Sequence, residues 1–69
     1  MTAPLLHGTV TGFDAEVGWG EVTAADGTVL GFHCIAISDG SRRIDVGRAV
    51  TFEVLPKLGR YEATALRPV

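Results

Sequence analysis

At 69 residues, with 46% hydrophobic and 20% charged side chains, the chain suits one small domain over residues 1–69 and is too apolar for a disordered tail. A net charge of −2 and a pI near 5.5 argue against strong nonspecific attraction to phosphate, which needs lysines and arginines to displace counterions. No run approaches the roughly 20 apolar residues that cross a bilayer, and the opening MTAPLLHG lacks the basic and long apolar stretches of an export signal. Cys34 is the only cysteine, so no internal disulfide can form, and a reducing, cytoplasmic setting without membrane contact is expected.

Nine glycines punctuate short runs rich in Val, Thr, Ile and Phe, and no segment keeps apolar residues at helical spacing for three turns. The first strand is predicted over about Leu5 to Phe13, with Val10 inward and Thr9, Thr11 and Phe13 outward. In VGWGEV, Gly18 and Gly20 lower strand propensity and point to curvature or to a ligand against bare backbone, while Trp19 and Glu21 share the other face. A second strand is expected over about Gly18 to Thr23. The Asp26-Gly27 pair then supplies a hairpin turn into a third strand of about Val29 to Cys34, with Leu30 and Phe32 on one side and Gly31 and His33 on the other.

IAISDGSRRIDVG, residues 35–47, loses strand periodicity and predicts a long connection with a helical turn near Ile35 to Ser38. RAVTFEVL resumes alternation with Val50, Phe52 and Val54 inward, PKLG turns the chain, and a last strand is expected over about Arg60 to Leu66. Five short strands with one long loop fit an all-β fold: a small five-stranded antiparallel Greek-key barrel, which leaves no exposed sheet edge.

These pieces resemble the bacterial cold-shock protein family, whose fold is an oligonucleotide-binding barrel. GTVTGFDAEVGWGEVTAADG is similar to the family's opening pattern, Gly-x-Val-Lys-Trp-Phe-Asn-x-x-Lys-Gly-Phe-Gly-Phe-Ile, and is followed by His33 and by VGRAVTFEV in place of the family's Gly-x-x-Val-x-Phe strand. The resemblance covers about residues 8–67. It implies binding of single-stranded RNA or DNA by stacking of bases on strand-borne aromatics, at about 1–3 kcal/mol per base.

On the matching positions, Phe13, Trp19 and His33 are the inherited platform. Gly12, Glu21, Gly31 and Cys34 stand where the family presents rings, and Thr11 and Val17 replace two lysines. Val10, Val22, Leu30, Phe32, Ile37, Val50, Phe52 and Leu66 keep the apolar character of the family core. The barrel is kept while its binding face is thinned.

All basic residues lie in the second half, and Arg42, Arg43, Lys57 and Arg60 are the candidates to meet phosphate at the rim. Trp19 is either a base platform or a cover on a glycine-rich strand, and Glu21 is either a solvated strand residue or a repellent of phosphate. His7 and His33 lack partners at metal-ligand spacing, Cys34 faces away from its strand neighbour His33 and has no orienting third group, and Asp14, Glu16 and Glu21 lack a cleft to raise a pKa. No metal, cofactor or enzymatic activity is therefore expected. A second possibility is a monomer or weak dimer that turns this face to protein, with Gly12, Gly18, Gly20 and Gly31 admitting another backbone.

Overall fold

The computed structural model describes residues 5–69, the side chain of Lys57 excepted. Five strands are seen among the described residues: β1 (Leu6–Asp14), β2 (Trp19–Ala24), β3 (Val29–His33), β4 (Ala49–Lys57) and β5 (Arg60–Pro68). They close into a barrel in the order β1-β2-β3-β5-β4. Neighbours run antiparallel except at the β3–β5 seam, where Gly31 pairs with Glu62 in parallel.

The first strand is shared between two neighbours. Its start, Leu6 to Thr9, pairs with β4, while its length from Gly8 to Asp14 pairs with β2. Val10 still bonds sideways to the connection before β4: its N–H donates to the Arg48 carbonyl at 2.9 Å, and its own carbonyl accepts from the Gly47 N–H at 2.7 Å. The register to β2 then shifts between Val10 and Gly12, with Thr11 as the extra residue. Such a bulge bends and twists its strand, so β1 can leave β4 while following β2.

The bulge also changes which side chains point inward. Strict alternation from Val10 sends Phe13 outward, as the sequence predicts. One inserted residue reverses that parity, and Phe13 lies opposite Gly20 on the core side, stacked on buried Phe32 with ring centroids 6.1 Å apart. Gly20 is buried because these rings occupy the space of its missing side chain: a Cβ there would sit 2.5 Å from Phe32 Cζ and 2.9 Å from Phe13 Cδ1.

The core contains all eight predicted apolar residues, Val10, Val22, Leu30, Phe32, Ile37, Val50, Phe52 and Leu66, joined by Ala24 and Ala63. Val54 packs beside them, half-buried. A short 3-10 turn, Cys34–Ala36, stands where the helical turn was expected and delivers Ile37 to the core. Asx-type turns shape the loops at Asp26 and Asp39: Asp26 Oδ1 accepts the Thr28 N–H at 2.9 Å and Asp39 Oδ1 accepts the Ser41 N–H at 2.8 Å. Those bonds hold both carboxyls below the usual aspartate range.

The last two strands run longer than the sequence suggests. Pro56 does not end β4, because β1 pairs only with Ala49 to Phe52 and the proline lies beyond that contact. A second bulge, between Thr51 and Glu53 of β4, places the extra residue on β5, where Ala65 adopts a φ of 52°. That left-handed conformation costs an L-residue roughly 1–2 kcal/mol.

Two stability changes follow. Ala65→Gly is expected to raise the unfolding free energy by about 1 kcal/mol, since glycine adopts positive φ freely. Gly20→Ala is expected to lower it by about 1–3 kcal/mol through overpacking against Phe13 and Phe32. Urea midpoints at constant slope measure both.

Candidate nucleic-acid interface

Register fixes the composition of the outer face. Trp19, Glu21 and Thr23 of β2 are flanked on β1 by Asp14, Gly12 and Thr9 and on β3 by His33, Gly31 and Val29. Trp19 and His33 are direct cross-strand partners, and their rings meet edge to face, with centroids 4.7 Å apart and planes at 83°. Glu21 stands exposed between Gly12 and Gly31, so the middle of the face carries a carboxylate between two positions without side chains.

The glycine at 31 has a use. The benzo edge of Trp19 fills the space above it, and any Cβ on Gly31 would collide with Trp19 Cζ2. A ring at position 31 and a tryptophan at position 19 are therefore mutually exclusive in this arrangement. One large side chain occupies ground that the family pattern divides between two phenylalanines.

The other end of the tryptophan's surroundings comes from β5. The Arg60 guanidinium carbon lies over the Trp19 ring, 5.6 Å from its centroid. Arg60 Nε is also 3.6 Å from Glu62 Oε2. Glu62 is 6% exposed and is the one charged residue among the buried side chains described. Its place opposite Gly31 on the parallel seam sets it beside the tryptophan.

Of the residues singled out from the sequence, Trp19, His33 and Arg60 form one cluster. Phe13 is half-buried and belongs to the core side, contrary to its expected outward direction; only part of it reaches two surface depressions. One is bounded by Gly12, Asp14, Trp19 and Glu21, the other by Ala15, Arg43, Ile44 and Asp45. Arg43 thus approaches the aromatic face through Phe13. Arg42 is exposed in the long loop with φ 61° and lines neither depression. The Lys57 side chain lies outside the described residues.

The glycines do not form an open track for a partner backbone. Gly20 faces the core, Gly18 is closed by Cys34 Sγ at 3.0 Å from an added Cβ, and Gly31 is filled by Trp19. Gly12 alone of the four is open, its nearest neighbour being Glu21 Oε1 at 3.9 Å from an added Cβ. Cys34 is a half-buried free thiol. Among the described residues, no three His, Cys, Asp or Glu side chains gather as a metal site, and no helix is long and apolar enough to cross a membrane.

Glu62 is the residue of this face that sequence reasoning missed. Within its own strand it reads as one more polar residue, because its burial comes from elements distant in the chain. Gly31→Phe is expected to lower the thermal midpoint by several degrees, and adding Trp19→Phe is expected to recover most of that loss; differential scanning of the three chains measures both effects.

Comparison with known proteins agrees with this architecture. The 'Cold-shock' DNA-binding domain family matches residues 6–69. Cold shock protein 2 of Lactiplantibacillus plantarum is 42% identical over 50 residues, which cover 71% of this chain and 76% of that protein. A closed five-stranded barrel with the expected core, matched by the family over residues 6–69, places this chain in the cold-shock domain family.

Proposed function

We propose that this protein binds single-stranded RNA or DNA weakly, by stacking bases on a reduced aromatic face. The observation that carries the proposal is the Trp19–His33 pair, two rings in contact on neighbouring strands and outside the core. Core packing gives no reason for two such rings there, whereas a base has a flat face to offer them. The exposed part of Phe13 extends the apolar surface toward Arg43, where phosphate can meet a guanidinium.

Weakness follows from what the face lacks. Stacking contributes about 1–3 kcal/mol per base, and Gly12, Glu21 and Gly31 offer no ring. Glu21 and Asp14 add negative charge on the path of a phosphate backbone. The close fillings at Gly18, Gly20 and Gly31 weigh against a protein partner docked by backbone approach.

Trp19 is the sole tryptophan and reports directly on its own occupancy. Titration with oligo-dT, and with a mixed-sequence RNA, is expected to quench its emission saturably at low salt and less at physiological salt. A flat trace from folded protein would reject the proposal. Gly12→Phe, which enters open space, is expected to tighten binding by about 1–3 kcal/mol, roughly 5- to 150-fold, in the same assay.

A further inference from the structure

The binding face contains an occupant of its own. Arg60 reaches from β5 over the Trp19 ring and pairs with Glu62, whose side chain is 8% exposed although the arginine side chain is 65% exposed. A carboxylate removed from water holds a paired cation more firmly than an exposed one does, because leaving it unpaired is costly. The guanidinium is thereby kept on the ring by a group that cannot easily release it.

We propose that Glu62 is a built-in competitor of nucleic acid: it mimics a phosphate toward Arg60, and Arg60 in turn occupies the ring face that a base would take. Glu62 thus sets affinity without touching the ligand, as a positioning residue for Arg60. A bound strand has to exchange both partners, its phosphate for the Glu62 carboxylate and its base for the guanidinium. The inference rests on Trp19 as the stacking ring. It accounts for an arginine beside the stacking cluster in a protein whose face is otherwise poor in cations.

Glu62→Gln removes the charge and keeps the shape. It is expected to tighten binding of oligo-dT at low salt by about three- to tenfold, and to steepen the slope of log K against log salt by about 0.7, the mark of one more phosphate contact on a single strand. Unchanged or weaker binding with an unchanged slope would overturn the proposal. A ligand-free measurement separates this from failure of nucleic-acid binding itself. Trp19 emission in Arg60→Met, Glu62→Gln and the double variant should show that, once Arg60 is gone, removing the Glu62 charge adds nothing. Additive shifts would overturn the link between Glu62 and the ring. Non-additive shifts, with no binding by either the native protein or the Glu62→Gln variant, would uphold the link and reject both the competitor role and the stacking function.

Discussion

The extra residue at Thr11 is the constraint on which the rest of the structure depends. β1 pairs with β4 at its start and with β2 from Gly8 to Asp14, and the bulge bends it so that it can serve both. The same residue moves Phe13 from the outer side to the core side, where its stack on Phe32 demands a bare backbone at Gly20. Curvature, core filling and the loss of a ring from the outer face are one event in the chain.

A second dependence links the two ends of the aromatic face. In the family pattern, positions 19 and 31 each present a ring of moderate size. Here a larger ring at one position takes the space of the other, so Gly31 accommodates Trp19 instead of marking simple loss. The face is therefore reorganised around one tryptophan, with His33 against its edge and Arg60 over its plane. The result is a compact aromatic cluster, where the family pattern implies an extended row of rings.

Charge placement points the same way. The cations of this chain lie in its second half, and two of the three strands that form the outer face bring carboxylates instead. Attraction to the phosphate backbone is weak on such a surface, so stacking carries a larger share of any affinity. Arg60 lies over the Trp19 ring and is paired there with Glu62, the residue that the parallel seam sets opposite Gly31.

Much of this was legible in the residues. Glycine spacing, the Asp26-Gly27 turn and the alternation at Val50 and Phe52 gave the strands, and the eight large core residues could be named, because inward positions repeat every second residue and favour apolar side chains. The share of Trp19 and Glu21 in one face followed from the same period. The direction of Phe13 did not, since a bulge reverses parity without a marker in composition. Nor did the extent of β5 past a left-handed Ala65, or the burial of Glu62. The sequence by itself determined the barrel, its core and its family, which depend on local period and turn chemistry. Only the tertiary structure decided which rings stand on the outer face and which charge pairs with Arg60, because both depend on registers between strands.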